Sequence, residues 1–240
     1  MKIYIGTSGY TYNHWVNVFY PSNIKRIKWF QYYQNYFNAV EINATFYRDF
    51  SVNTFKKWER NAFSGFKYFL KVPRLITHQK KLVDVNEDIE KFCNTTQILG
   101  DKLGGYLFQL HPSIKKDTEL LENVINSFNK KTLVIEFRNK QWYCEEVFNL
   151  LKSKNVVLCN VQSPEIDLTN IVTSDIAYIR LHGIKNWYTY NYNEDDLKII
   201  VDLIRYYKTK NIKEIYIFFN NDFNGYAPLN ALRLKELLVV

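Results

Sequence analysis

Residues 40–47 read VEINATFY, and this stretch decides the fold that we infer. Apolar and polar side chains alternate along it, as they do in a β-strand with two different faces. The sequence therefore predicts a strand over Val40–Tyr47 with its polar residues on one face. These are Glu41, Asn43, Thr45 and Tyr47. A carboxylate among apolar neighbours is costly unless it is paired or used, so Glu41 marks a candidate site.

Seven further stretches have strand character, and helical patterns separate most of them. The predicted strands are Ile3–Ser8, Val40–Tyr47, Phe66–Val72, Gly104–Leu110, Leu133–Phe137, Val156–Val161, Ile176–Leu181 and Glu214–Phe219. The predicted helices are Ile24–Phe37, Thr54–Phe63, Asp84–Leu99, Asp117–Phe128, Glu145–Lys152, Asn193–Lys208 and Leu229–Leu238. The sixth connection, Gln162–Asp175, has the weakest helical signal.

Strands that alternate with helices indicate a parallel sheet. Eight such units in 240 residues favour an α/β fold of the TIM type, a (β/α)8 barrel forming one domain over residues 1–240. The alternative is an open, doubly wound sheet, which neither a GxGxxG motif nor a P-loop supports.

The composition narrows the class of protein. The net charge of +8 would attract nucleic acid or anionic substrates, although the lysines are scattered and form no basic tail. The three cysteines include no CxxC pair, so neither a zinc knuckle nor a disulfide framework is indicated. No signal-peptide core and no apolar run of about 18 residues is present, which predicts a cytoplasmic protein with no membrane partner.

Polar residues recur at the carboxyl ends of the predicted strands, where barrel enzymes place their active sites. The candidates are Glu41, Asn43, Tyr47, Lys71, His78, Gln109, His111, Glu136, Arg138, Arg180, His182 and Asn220. Within a strand the paired polar residues are two apart, so they share a face. We expect this face to form a functional site.

Residue type suggests the roles. Lys71, Arg138 and Arg180 would bind a carboxylate or phosphate. Glu41 and Glu136 are the candidate catalytic acid and base, an arrangement also found in glycosidases, and His182 is a candidate proton shuttle. Alternatively these are buried polar groups that satisfy one another, with Glu41 paired to Lys71 and Glu136 to Arg138 or Arg180.

A divalent metal is an alternative that the sequence does not favour. Glu41, Glu136, His182 and His78 are suitable ligand types. However, no HxH, HExxH or DxD spacing occurs, and the neighbouring cations would repel a metal ion. The sequence leaves the identity of any cofactor open.

Two aromatic loops follow the first and seventh predicted strands. The first contains Tyr10, Tyr12, Trp15, Phe19 and Tyr20, and the second contains Trp187, Tyr188, Tyr190 and Tyr192. Exposed rings there would stack on sugars or bases, with Tyr188 a candidate for substrate binding. The alternative is a hydrophobic lid that packs on itself.

Together these motifs resemble the YecE-like family, also called domain of unknown function 72. The resemblance rests on GTSGYTYNHW…FYP (6–21), VEINATFY, KVP…ITH (71–78), FQLHPS (108–113), IEFRNKQW (135–142), IRLHG…YTYNY (179–192) and FNN…LNALRL (219–234). It implies a TIM-type barrel related to xylose isomerases and endonuclease IV-like barrels, and no settled reaction.

The resemblance carries the family's motif onto most of the candidates above and adds Trp142 as a substrate-binding residue. Two positions depart from the family pattern. His111 stands where a second proline is common, and Asn160 stands where an aspartate is common. The asparagine removes one acid or metal ligand.

We therefore predict a site that acts on a small polar or anionic substrate, similar to a sugar phosphate, by acid/base chemistry. Hydrolysis, isomerisation and lyase chemistry all remain open. The alternatives are a nucleic-acid binder or metal-dependent phosphodiesterase of the endonuclease IV type, and a non-catalytic binding barrel. The sequence makes no prediction of oligomeric state.

Overall fold

The computed structural model describes residues 1–128 and 131–239. Its eight strands are β1 Lys2–Thr7, β2 Ala39–Ile42, β3 Lys67–Lys71, β4 Leu103–Gln109, β5 Thr132–Glu136, β6 Val157–Gln162, β7 Ile176–Leu181 and β8 Glu214–Phe219. They are ordered β1-β8-β7-β6-β5-β4-β3-β2, and Ser8 and Glu41 form a parallel bridge after β1. This is the strand order of a (β/α)8 barrel, so the predicted fold class is confirmed.

Helices connect most of the strands. They are α1 Trp29–Tyr33, α2 Ala44–Tyr47, α3 Val52–Asn61, α4 Asn86–Thr96, α5 Thr118–Ser127, α6 Glu145–Ser153, α7 Glu194–Thr209 and α8 Tyr226–Val239. Helix α7 begins with a capping box, in which the Asn193 side chain accepts from the Asp196 N–H and the Asp196 carboxylate accepts from the Asn193 N–H. No helix among the described residues is long and apolar enough to cross a membrane.

The prediction of one strand over Val40–Tyr47 is wrong in its second half. Strand β2 ends at Ile42, Asn43 adopts helical dihedral angles, and α2 follows. The Thr45 hydroxyl explains the change of direction, because it donates to Ile42 O at 3.0 Å and to Lys71 O at 2.7 Å. Thr45 and Tyr47 therefore do not continue the strand face that carries Glu41.

The predicted helix Ile24–Phe37 is much shorter in the structure. A 3₁₀ turn over Arg26–Lys28 leads into α1, which has five residues. Ile27, which the helical pattern placed on the buried face, is 85% exposed. The apolar periodicity of this segment instead reflects aromatic packing, with Trp29 stacked on Tyr20.

The chain divides into two compact units, which we describe separately. The first unit comprises Met1–Glu41, Asn160–Ile171 and Asp175–Val240, and the second comprises Ile42–Cys159 and Val172–Ser174. In the first, a Cβ atom on Gly6 would fall 2.0 Å from Ala39 O, so β1 requires glycine there. That the whole chain behaves as one domain stays a prediction.

The segment after β6 contains no helix, in agreement with the weak helical signal of Gln162–Asp175. The Asn160 side chain stabilises this segment by three hydrogen bonds. It donates to Ile171 O and to the Tyr207 hydroxyl, at 3.0 Å each, and accepts from the Thr169 hydroxyl. The asparagine at this position therefore organises the connection.

Candidate functional site

A buried carboxylate organises the polar residues of the first unit. Glu41 is 0% exposed and accepts hydrogen bonds from Ser8 Oγ, the Tyr178 hydroxyl and Arg180 Nη2, each at 2.7 Å. We call Ser8, Glu41, Tyr178, Arg180, His182 and Asn220 the Glu41 cluster. Three donors, one of which is the ion-pair partner Arg180, compensate the burial of this carboxylate.

His182 extends the Glu41 cluster. Its Nε2 lies 3.3 Å from Arg180 Nη1, and the side-chain amide of Asn220 lies 3.0 Å from its Nδ1. Arg180 Nη1 and Asn220 Nδ2 are both donors, so a neutral ring, which has one acceptor nitrogen, can accept from only one of them. Trp187 and Tyr188 pack their rings against the imidazole at 5.2 and 5.6 Å.

A second buried carboxylate organises the ends of β3, β4 and β5 in the second unit. Glu136 is 0% exposed, and its Oε1 lies 2.8 Å from Gln109 Nε2 and 2.5 Å from Arg138 Nε. Gln109 Oε1 accepts in turn from Lys71 Nζ at 2.9 Å. We call Lys71, Gln109, Glu136 and Arg138 the Glu136 cluster. Gln109 pairs with Glu136 in the strand register, so the parallel ladder itself aligns these groups.

Phe46 and Thr45 position Lys71. The ammonium lies 4.1 Å from the centre of the Phe46 ring, a cation–π contact, and the Thr45 hydroxyl fixes the Lys71 carbonyl. Only 8% of Lys71 is exposed, so its side chain has little conformational freedom. Helix α2 thus supports the end of β3.

His78 lies beside this cluster in a single π-helical turn, Leu75–Gln79. Its ring packs on Phe46 at 4.8 Å and on His111 at 5.0 Å. Burial, then Lys71, His111, Arg74 and Arg138, lower the pKa of His78 to about 4. The imidazole is therefore neutral at pH 7, and its surroundings disfavour any added positive charge.

Comparisons with known proteins place the chain in a family. The family described as "Protein of unknown function DUF72" matches residues 4–240. The chain belongs to the DUF72 family. YunF of Bacillus subtilis, a UPF0759 protein, is 24% identical over 98% of this chain and 94% of its own length. YecE of Escherichia coli K12 is 26% identical over 60% of this chain and 51% of its own length.

Solved DUF72 structures share the fold. The protein TM1631 of Thermotoga maritima is 30% identical, covers all of both chains and superposes with a TM-score of 0.91. EF0366 of Enterococcus faecalis is 20% identical, covers 99% of this chain and 96% of its own, and superposes with a TM-score of 0.88. The resemblance inferred from the sequence motifs is therefore confirmed.

Most of the predicted site residues of this DUF72 protein fall into the two clusters. Glu41, Arg180, His182 and Asn220 make contact in the first unit. Lys71, Gln109, Glu136 and Arg138 make contact in the second, with His78 and His111 beside them. Their catalytic and binding roles stay predictions.

Four other predicted residues stand apart from these hydrogen bonds. Trp142 is buried, stacks on Phe137 and donates to Ile114 O, so its described contacts are with the core. Tyr47 is 74% exposed, and Tyr188 contacts the ring of His182. Asn43 Oδ1 is buried and has no hydrogen-bond partner among the described residues.

The sequence pattern did not select three residues that belong to these clusters or contact them. Tyr178 could have been found, because it precedes Arg180 by two residues and so shares its strand face. Ser8, directly after β1, and Phe46 gave no local signal. Their roles depend on Glu41 and Lys71, which are 33 and 25 residues away in the sequence.

The first aromatic loop packs on itself, as one of the two interpretations held. Trp15, Phe19 and Tyr20 are each 7% exposed or less, and the rings of Trp15 and Phe19 meet edge to face at 5.9 Å. These rings are not available to stack on a base or sugar in this arrangement.

No group of three or more His, Cys, Asp and Glu side chains suited to a metal ion occurs within residues 1–128 and 131–239. The four residues considered as ligands, Glu41, Glu136, His182 and His78, instead contact cations, amides and aromatic rings.

Proposed function

We propose that the Glu136 cluster and His78 form the site of an acid/base enzyme acting on a small anionic substrate, similar to a sugar phosphate. The observation that carries the proposal is the positive surroundings of His78, where Lys71, His111, Arg74 and Arg138 all act against a further positive charge. The same field would attract a phosphate or carboxylate.

Lys71 and Arg138 are the proposed anion-binding residues. Gln109 orients the Lys71 ammonium, and Glu136 holds Arg138 through its Nε atom. Both side chains are mostly buried, so a bound anion would meet charges whose rotamers are already fixed.

Proton transfer in this proposal falls to His78 or Glu136. His78 is neutral at pH 7 and can accept a proton, and the positive surroundings would return it readily to a leaving group. Glu136 Oε1 already accepts from Gln109 and Arg138, so its protonation would weaken both contacts. His78 is therefore the base we favour. Catalysis by Glu41 and His182 stays a separate prediction.

Calorimetric titration with inorganic phosphate tests the binding step. Lys71→Met and Arg138→Gln should each raise the Kd about tenfold, equivalent to about 1.4 kcal/mol. Lys67→Met is the matched control, because Lys67 lies at the opposite end of the same strand and contacts Asp101 O. If both site variants bind phosphate as tightly as Lys67→Met, the proposal is wrong.

A screen of sugar phosphates and related carboxylates tests the chemical step. Turnover of any substrate should fall at least about a hundredfold in His78→Asn if His78 is the general base. Substrate affinity should change little, because the anion-binding residues are intact. Unchanged turnover would show that His78 is not the general base, and Glu136→Gln would then test the other candidate.

A further inference from the structure

A cavity in the second unit lies beside the Glu136 cluster but is not lined by it. It measures about 400 Å³, is open to solvent on one side, and is bordered by α2, the loop that follows it, α3, the π-helical turn and α4. Cavities that bind small molecules commonly measure about 300–1,000 Å³. None of Lys71, Gln109, Glu136 and Arg138 lines it, so it is a separate space.

The charged residues around this cavity are unbalanced. Arg48, Arg74 and Lys91 line it, and none of them forms an ion pair with another described residue. Of the two acidic residues that line it, Asp88 is paired with Lys80, whose Nζ lies 2.7 Å from Asp88 Oδ2, so Asp49 is the one carboxylate left to offset these three cations. Cations without acidic partners favour an anionic ligand.

The walls of the cavity are aromatic. Phe46 and Phe55 are buried, Phe50 and Phe92 are half-buried, and Tyr47 stands at the rim with 74% of its surface exposed. Arg48 already lies over the Phe50 ring, with its Cζ 4.6 Å from the ring centre. Rings and guanidinium planes of this kind accept a flat, apolar group by stacking.

The backbone that leaves one side of the cavity is strained. The π-helical turn Leu75–Gln79 contributes Leu75, Ile76 and Gln79 to the lining. Lys81, Leu82 and Asp84 do not line the cavity but follow directly, with positive φ angles of 49°, 76° and 50°. Leu82 is a buried leucine held in this conformation by its N–H bond to Ile76 O. Such strain is concentrated at ligand sites and persists only where the surroundings enforce it.

We propose that this cavity binds a small aromatic anion, with a flat ring between the phenylalanines and a carboxylate or phosphate against Arg48, Arg74 and Lys91. We further infer that the ligand acts on the Glu136 cluster through Phe46. One side of that ring lines the cavity, and the same ring contacts Lys71 and His78. Binding itself does not depend on the function proposed above.

Calorimetric titration of the full chain with benzoate and phenyl phosphate tests the site, and the two ligands distinguish a carboxylate from a phosphate. Both should bind more tightly than benzyl alcohol, which lacks the charge, and acetate, which lacks the ring. Lys91→Gln should raise the Kd of each aromatic anion about tenfold, equivalent to about 1.4 kcal/mol. Lys56→Gln is the matched control, since Lys56 is exposed on α3 and does not line the cavity.

A second variant locates the ligand. Thr95→Trp would place an indole in the cavity from α4 and should abolish binding. Arg138→Gln should leave binding of benzoate unchanged while weakening inorganic phosphate, so that this site and the Glu136 cluster can fail independently. In the native protein, benzoate should also shift the nuclear magnetic resonances of the Phe46 ring and the His78 imidazole.

Three outcomes would overturn the proposal. The first is equal affinity of Lys91→Gln and Lys56→Gln for both aromatic anions. The second is loss of benzoate binding in Arg138→Gln, which would place the ligand at the Glu136 cluster. The third is benzyl alcohol binding as tightly as benzoate, which would leave the cations without a role.

Discussion

His78 is the residue that reports most directly on the electrostatics of the Glu136 cluster. Its pKa is lowered to about 4, first by burial and then by Lys71 and the other cations. Lys71→Met removes the charge with the largest effect among these, so we expect the His78 pKa to rise toward its ordinary value of 6.5. Titration of the imidazole by nuclear magnetic resonance measures this shift, and Lys67→Met should leave it in place.

The same lowered pKa predicts how stability depends on pH. Between pH 6.5 and about 4 the unfolded chain binds a proton at His78 that the folded chain does not. The free energy of unfolding should therefore fall as the pH falls through this window. Urea denaturation at several pH values should show a smaller decrease in His78→Asn than in the native protein.

The Glu41–Arg180 pair makes a second prediction at the scale of single residues. Both side chains are almost completely buried, and Arg180 Nη2 lies 2.7 Å from Glu41 Oε1. Arg180→Met should lower the free energy of unfolding by about 3–5 kcal/mol, because it leaves a buried carboxylate without its cation. Urea denaturation checks this value.

The exposed pair of Arg205 and Asp202 is the control for that measurement. Its atoms are 3.0 Å apart, but the two side chains are 67% and 71% exposed. Solvent screens such a pair, so Arg205→Met should cost less than about 1 kcal/mol. Equal losses in Arg180→Met and Arg205→Met would contradict the importance of burial.

At the scale of elements, the stretch Val40–Tyr47 shows how far a local pattern is informative. Alternation correctly predicted a strand in the first part of this stretch, where β2 ends at Ile42. It failed after Ile42, because the change to α2 depends on the hydrogen bond from Thr45 to Lys71 O, a residue 26 positions later. A pattern of apolar and polar residues carries no information on such a distant partner.

Helix α7 offers the opposite case, since its start is determined locally. Asn193 followed by three acidic residues predicted the cap, and the structure contains the complete capping box. Asn193→Ala should lower the free energy of unfolding by about 1 kcal/mol. Asn94→Ala, at an exposed position in the last turn of α4, should instead be neutral or slightly stabilising, since alanine is the better helix former.

At the scale of the whole molecule, the repeated alternation of strands and helices was sufficient to predict the (β/α)8 fold. It was also sufficient to select most members of the two clusters, because strand ends of a parallel sheet lie at one edge. The exact partners were not predictable: Glu41 was considered a partner of Lys71, whereas the structure pairs it with Arg180. Pairing depends on side-chain reach in three dimensions.

The net charge of +8 is also a property of the whole molecule, and it left nucleic-acid binding as an alternative. The rings expected to stack on bases include Trp15, Phe19 and Tyr20, which are buried. We therefore expect only weak association with duplex DNA at about 50 mM salt, measured by fluorescence anisotropy. Tight binding that falls steeply with added salt would contradict this and restore the alternative.

The π-helical turn that carries His78 has a consequence for how such chains can change over evolutionary time. A π-helical turn is equivalent to an α-helical turn with one inserted residue, and each residue of an α-helix rotates the next by about 100°. Deletion of one codon within Leu75–Gln79, other than that of His78, would therefore redirect the imidazole. In descendants of this gene, we expect the five-residue π-helical turn and its histidine to be retained together or lost together.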